Sequence, residues 1–427
     1  MIADVAAASV LPAGRLRATL ANGLEVWVLP VPGSGVVSTC LAYRVGTRDE
    51  DPCERGIAHF LEHMMFKGSA HYAPGEIDAR TQALGGSNNA YTSHDLTLYY
   101  FTFAPDRWPE ALEIEADRMA GLSLPPVHVD SERQVIFEEI AMYASDPWDA
   151  LEEASRALLL PGHPYGEAVL GTRETLARVG RSELGDFHRR WYRPANGVLV
   201  LAGEVTEEAL EVARRTLGEV PDGSGDRAAV PSASGGPTAP GRIERSHGSV
   251  PRFVRMGPAP AADTEPHAAL RVGLAALADG RQSRLHRRLV EELELCAWVE
   301  ASLSESPGPG SFSVTAELHP EANLEEVEPI VEEELARLAR ELLPPPEVNR
   351  ARAVLRADWV FGHERVHQQA LSLAFGAALF DEGYADRLLA SALAVTPEAV
   401  RTEAGEWLRP ERGVVGRSWP AAQPDRT

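Results

Sequence analysis

The stretch from Pro221 to Val250, PDGSGDRAAVPSASGGPTAPGRIERSHGSV, constrains the fold of this chain more than any other segment. It is crowded with Pro, Gly, Ser and Ala and nearly empty of large apolar side chains, which is the composition of an exposed linker. It splits the 427 residues into two parts of comparable size. Each part is long enough to bury a core of its own. The expected organisation is a first domain over residues 1–220, a linker over 221–250 and a second domain over 251–427.

The two parts look related. Residues 124–139 read LPPVHVDSERQVIFEE, and residues 343–358 read LPPPEVNRARAVLRAD. Both begin Leu-Pro-Pro and then place Val, Arg and Val at matching positions: Val129, Arg133 and Val135 in one, Val348, Arg352 and Val354 in the other. Each copy reads as a proline turn followed by a helix, so the pattern points to an internal duplication. Strand patterns at 24–29, 36–45, 97–103 and 197–202 are interleaved with helical ones at 206–217 and 320–342. The fold class is therefore α+β, with helices layered on a sheet in each half.

Composition narrows the function. There are 63 acidic and 41 basic side chains, a net charge of −22. No basic field exists to displace counterions from phosphates, so nucleic acid is excluded as a partner. The excess favours solubility and cationic partners. Cys40, Cys53 and Cys296 are widely spaced and form no CxxC pair, so neither a disulfide framework nor a thiolate metal site is indicated. With no basic, apolar leader at the start and no run approaching about 18 apolar residues, a cytoplasmic chain without a membrane partner is expected.

The chemistry concentrates in RGIAHFLEHMM, residues 55–65. On a helix, His59 and His63 lie about 40° apart on one face, with Glu62 about 60° to the other side of His59. Ile57, Phe60, Leu61, Met64 and Met65 fall on the opposite side, so the helix packs one face and presents two imidazoles and a carboxylate on the other. Two imidazoles one turn apart can ligate one tetrahedral zinc ion, and a carboxylate beside the metal can take a proton from its bound water. The order His-x-x-Glu-His inverts the commoner His-Glu-x-x-His and serves the same geometry. Surface histidines on an amphipathic helix remain the alternative.

A catalytic zinc needs a third protein ligand. In SERQVIFEEI, residues 131–140, Glu132 and Glu139 share a helix face with Val135 and Ile136, while Glu138 does not. A carboxylate on an apolar face must be paired or metal-bound, because burying it alone costs several kcal/mol. That asymmetry favours Glu139 over Glu138, with a buried Glu–Arg pair as the alternative.

Together these segments resemble the inverted-motif zinc peptidases: pitrilysin, insulin-degrading enzyme and the mitochondrial processing peptidase. GGSNNAYTSHD at 85–95 with Tyr99 and Tyr100, HPYG at 163–166 and YRPAN at 192–196 are similar to further landmarks of that family. The resemblance runs from about Leu20 to Gly203 and more faintly to the end. It implies two homologous α+β domains, each a mainly antiparallel sheet covered by helices, enclosing a chamber. It implies His59, His63 and Glu139 as zinc ligands, Glu62 as general base and Glu132 as a carboxylate behind the ligands. Asn89 and Ala90 match a strand edge that pairs with the substrate backbone; the residues by themselves are equally compatible with a turn.

The second half carries no His-x-x-Glu-His, and Ala351 and Asp358 stand where the first half has Glu132 and Glu139. It therefore reads as a non-catalytic copy. The family usually supplies from this half an Arg and, seven residues on, a Tyr that act on the substrate; here the alignment gives Glu291 and Trp298, with Arg287 and Arg288 close by as the alternative match. Related bacterial peptidases pair a zinc-bearing chain with one that supplies Arg and Tyr. The expectation is a zinc endopeptidase acting on peptides or unfolded segments, basic leader-like peptides among them, with a homologous partner chain that is either a second copy or a different protein. A scaffold or peptide-binding subunit without catalysis is the alternative from another class. A small-molecule metal hydrolase lacks any cradle motif and ranks last.

Overall fold

The computed structural model describes residues 14–222 and 241–420. The centre of the expected linker, residues 223–240, lies outside the described residues. The first half of the sequence runs β1 (Leu16–Thr19), β2 (Glu25–Pro30), β3 (Val37–Tyr43), α1 (Ile57–Met64), α2 (Glu76–Ala83), β4 (Ser87–Thr92), β5 (Thr97–Phe103), α3 (Pro109–Ala120), α4 (Pro126–Ser145), α5 (Pro147–Leu159), α6 (Arg173–Leu176), α7 (Arg181–Trp191), β6 (Gly197–Gly203) and α8 (Glu208–Leu217). The second runs β7 (Gly241–Ser246), β8 (Arg252–Ala259), α9 (Glu265–Ala278), β9 (Cys296–Leu303), β10 (Gly310–Leu318), α10 (Leu324–Arg340), α11 (Pro345–Gly362), α12 (Val366–Leu379), α13 (Tyr384–Ala394), α14 (Pro397–Trp407) and β11 (Val414–Trp419).

The strands form two sheets, ordered β1-β2-β6-β3-β5-β4 and β7-β11-β8-β10-β9. With β1 set aside, both sheets read first, fifth, second, fourth, third in chain order. Each contains one parallel pair, β2 with β6 and β7 with β11, and is otherwise antiparallel. A shared order of this kind is the three-dimensional form of the duplication. The LPP segments agree with it: α4 starts at Pro126 and α11 at Pro345, two residues after the matched Leu in each copy.

β7 corrects the end of the expected linker. Gly241–Ser246 pair in parallel with Val414–Trp419, and Ile243 packs against Val254, Met256 and Val414. Pairing satisfies backbone groups that the polar composition alone left to solvent.

Two compact units result, and each contains a helix from the other half of the sequence. The first gathers the described residues of 1–140, 168–229 and 360–386, the second those of 141–167, 230–359 and 387–427. In the first unit every residue of β3 and β6 is buried, so these strands are covered on both faces. Val37, Leu41, Tyr43, Leu199 and Leu201 point into the main core with Phe60, Leu61 and Ile136. The opposite face is made of smaller side chains, among them Ser38, Cys40, Ala42 and Ala202. No residue of α12 belongs to the main core, yet α12 packs on β3 and β6, so it takes this second face. Its buried Ala370, Leu373, Ala374, Gly376 and Ala377 allow the close approach. Arg44, just past β3, donates to the carbonyls of Ala377 and Ala378 at 3.2 and 3.1 Å and so caps the α12 C-terminus. In the second unit α5 does the reciprocal work, setting Leu151 and Leu159 against Val254, Met256 and Val414. No helix among the described residues is long and apolar enough to cross a membrane.

Candidate metal centre

α1 is short, and its start is fixed from outside. Gly56 sits at φ 94°, and a Cβ there would lie 2.4 Å from the Leu170 carbonyl oxygen, so only glycine fits. The Gly56 and Ala58 N–H groups donate to the two oxygens of Glu50 at 3.0 and 2.9 Å. Glu50 thus supplies the acceptors that a local cap residue would otherwise provide. Burial pushes its carboxyl up to about 8, against the opposing effect of those two bonds. Ile57, Ala58, Phe60, Leu61 and Met64 anchor the helix in the core.

That anchoring turns His59, Glu62 and His63 to one side. The two imidazole rings stand 4.6 Å apart, edge to face. α4 brings Glu139 to them: its Oε2 is 3.8 Å from His59 Nε2 and 3.6 Å from His63 Nε2. One donor atom from each of the three residues lies within 4.8 Å of the others. These separations are too long for hydrogen bonds. They are close to the roughly 3.3 Å between donor atoms bound at about 2.0–2.1 Å to one tetrahedral ion. Two imidazole nitrogens and a carboxylate converging without bonding one another suit zinc. Burial, reinforced by His63, lowers His59 to about 3, so its ring is neutral and able to ligate. With Nε2 facing the cluster, the His59 proton resides on Nδ1, which is buried without a hydrogen-bond partner among the described residues.

Glu132 lies one rank behind. Its Oε1 accepts from His63 Nδ1 at 2.9 Å, and its Oε2 meets Lys67 Nζ at 2.8 Å. Burial opposes ionisation of Glu132, but the bonds from His63 and Lys67 outweigh it and hold the carboxyl below its ordinary value. For His63, burial opposes protonation; the Glu132 bond and the charges of Glu62, Glu132 and Glu139 outweigh it and raise its pKa. Glu62 is raised chiefly by burial, with Glu139 adding to it and Thr92 and His63 opposing.

Glu139 enters the cluster and Glu138 is exposed. The helix face expected to be apolar is only partly so: Ile136 is buried, but Val135 is 50 % exposed. Glu139 is therefore set by the convergence of α4 on α1, not by an apolar surround.

Asn89 and Ala90 lie on β4, the outermost strand of its sheet and not a turn. The Ser93 N–H donates to the Leu96 carbonyl, so the hydrogen-bonded pairs of this hairpin alternate through Tyr91–Leu98 and Asn89–Tyr100. The main-chain groups of Asn88, Ala90 and Thr92 consequently face the open edge. The Ala90 N–H is held there at 2.9 Å by the Asn89 side-chain oxygen.

In the second unit, Glu291 sits in the wide-pitched turn His286–Glu292 and pairs with Arg281 at 3.2 Å. Trp298, on the edge strand β9, packs its ring 5.0 Å from that of Trp148. Ala351 is buried and Asp358 exposed, and no second cluster of three metal-binding side chains occurs among the described residues. The pattern of motifs did not single out Glu50, Lys67 or Thr92. Lys67, one turn beyond His63, is the one a helical-spacing argument reaches.

Comparison with known proteins gives two successive family matches. Residues 32–173 match the family described as Insulinase (Peptidase family M16), and residues 178–355 match the Peptidase M16 inactive domain. An uncharacterized zinc protease of Streptomyces coelicolor is 30% identical over 94% of this chain and 89% of its own length. One of Mycobacterium leprae is 32% identical over 82% of this chain and 80% of its own. Among solved structures, a protease from Helicobacter pylori has the same fold, with a TM-score of 0.87 at 23% identity over 95% of this chain and 99% of that one.

Proposed function

The chain belongs to peptidase family M16, and from that premise we propose that it is a zinc-dependent endopeptidase acting on peptides or unfolded segments. In this reading the first domain, residues 1–220, carries the chemistry and the second, which includes β7 from Gly241 onward, does not. The observation that carries the proposal is the convergence of Glu139 of α4 on His59 and His63 of α1 within 4.8 Å, beside Glu62 on the same helix as the two histidines. His59 Nε2, His63 Nε2 and the Glu139 carboxylate would hold the ion. When bound, zinc supplies Lewis acidity to a water molecule and to the scissile carbonyl. Glu132 keeps the His63 proton on Nδ1 and leaves Nε2 free. Glu62 has one oxygen engaged by Thr92 and accepts the water proton on the other, Oε1, then returns it to the leaving amine nitrogen. A substrate strand pairs with the outward groups of Asn88, Ala90 and Thr92, displacing the Asn89 carboxamide from the Ala90 N–H.

Three finer points belong to the same proposal. The net charge of −22 favours basic peptides as substrates. Glu291 and Trp298 cannot provide the donors of an Arg and a Tyr, so full activity calls for a homologous partner chain, a second copy or a different one. The three free cysteines fit a cytoplasmic location.

The test is Glu62→Gln. Bound zinc, measured by metal analysis, stays at the wild-type level while hydrolysis of an unfolded basic peptide is lost. Full activity in that variant overturns the proposal. Absence of zinc from the purified wild type points instead to the non-catalytic scaffold. Repeating the assay with and without the co-purified homologue reads the partner requirement.

A further inference from the structure

Three residues acquire no role from the metal cluster: Thr92 at the end of β4, Tyr99 and Tyr192. They meet behind Glu62. The Thr92 hydroxyl donates to Glu62 Oε2 at 2.5 Å and lies 3.4 Å from the Thr97 hydroxyl, its cross-strand partner on β5. Thr97 in turn donates to the Val45 carbonyl at 3.1 Å and is hydrogen-bonded to Tyr192, whose hydroxyl is 3.4 Å from that of Tyr99. Arg118, ion-paired with Glu115 in the core, lies over the Tyr99 ring at 4.2 Å. Thr92, Thr97, Tyr99 and Tyr192 are all buried.

A carboxylate on a flexible two-carbon stem has several rotamers, and proton transfer needs one of them. A hydroxyl can fix that rotamer only if its own position is fixed. Here the backbone of Thr92 is held by pairing with Thr97, its side chain is enclosed, and the hydroxyls behind it are anchored to a main-chain carbonyl. No described residue bonds the other Glu62 oxygen.

Resting on the peptidase reading above, we propose that Thr92 is a positioning residue. Its hydroxyl locks the Glu62 carboxylate with Oε2 held and Oε1 free, and it ties that orientation to β4, the strand offered to substrate. Thr92 sits two residues from Ala90 on the same edge, so a peptide pairing there stiffens the segment that holds the base. The chemical step, not peptide capture, is what the contact serves.

The experiment compares Thr92→Val, which keeps the shape and removes the hydroxyl, with Thr92→Ser, which keeps the hydroxyl. The full zinc-loaded chain is used with its partner chain and a quenched fluorescent basic peptide. The expected result for Thr92→Val is a fall in kcat of about 10- to 100-fold, with KM and zinc content at wild-type levels. Thr92→Ser restores kcat to within a few-fold of wild type. A merely structural role would lower the active fraction or the zinc content and would not be rescued by Ser in this way. Unchanged kcat in Thr92→Val, or equal losses in both variants, overturns the assignment. If the wild type with full zinc cleaves nothing, the peptidase reading fails on its own account. Crystal structures of the two variants then decide the positioning role: a Glu62 carboxylate in its wild-type orientation in Thr92→Val overturns it, and a rotated one supports it.

Discussion

His63 Nδ1 donates to Glu132 Oε1 at 2.9 Å, so the nitrogen that faces Glu139 is Nε2. One hydrogen bond behind the cluster thereby selects the tautomer in front of it. Lys67 continues the chain at 2.8 Å from the other Glu132 oxygen.

Removing this support weakens metal binding without touching a ligand. Glu132→Gln is expected to lower zinc affinity by about 10- to 100-fold, read by competition with a chromogenic chelator. Lys67→Met should cost less, because the Lys67 side chain is 36% exposed and solvent takes over part of its role. An order of effect with Lys67→Met above Glu132→Gln contradicts the relay.

Zinc should also stabilise the fold, since only the folded chain brings His59, His63 and Glu139 together. Stripping the wild type with a chelator lowers Tm, and restoring zinc recovers it. The same cycle applied to His59→Ala leaves Tm nearly unmoved. A chelator effect of equal size in both proteins would mean that the ion binds elsewhere.

Glu50 gives a pH signature. Its folded-state pKa is raised by burial from 4.5 to about 8. Between those values the folded chain holds a proton that the unfolded chain has released, so stability falls as pH rises. Glu50→Gln removes the titration while keeping an acceptor for the α1 N-terminus. Tm measured at pH 5 and pH 8 should therefore drop more in the wild type than in Glu50→Gln. Equal drops exclude Glu50 as the group responsible.

How much of this was written locally explains what sequence reasoning reaches. His59, Glu62 and His63 lie within one helical turn, so spacing alone puts them on one side. Glu132 and Glu139 follow from the same arithmetic on a second helix. Their meeting with α1 depends on tertiary packing, which is why an apolar face containing Val135 was an imperfect guide. Thr92 and Glu50 are beyond such reasoning: each acts on α1 across a loop or a strand, through contacts that no periodicity encodes. The repeat was visible in two LPP segments, and the common strand order supplied the rest. The exchange of α5 and α12 left no local mark, although the uninterrupted burial of β3 and β6 demanded a cover on each face.

That exchange makes the first unit depend on a helix from the far end of the chain. Ala374 of α12 is fully buried, and Cys40 is fully buried on β3, one of the two strands α12 covers. Burial also pushes the Cys40 thiol well up, so almost no thiolate is available for reaction. Placing an arginine at position 374 forces a charge into a face built from small apolar side chains, at a cost of several kcal/mol. Ala374→Arg in a Cys53→Ser background, where the exposed thiol is gone, is expected to lower Tm and to make Cys40 react with a maleimide reagent under native conditions. Cys296, buried in the second unit, stays protected and reports whether the second unit keeps its fold. Labelling of Cys40 without Cys296 means that α12 has been displaced locally. Labelling of both means global unfolding. Protection of both at an unchanged Tm means that α12 is not the cover of β3 and β6.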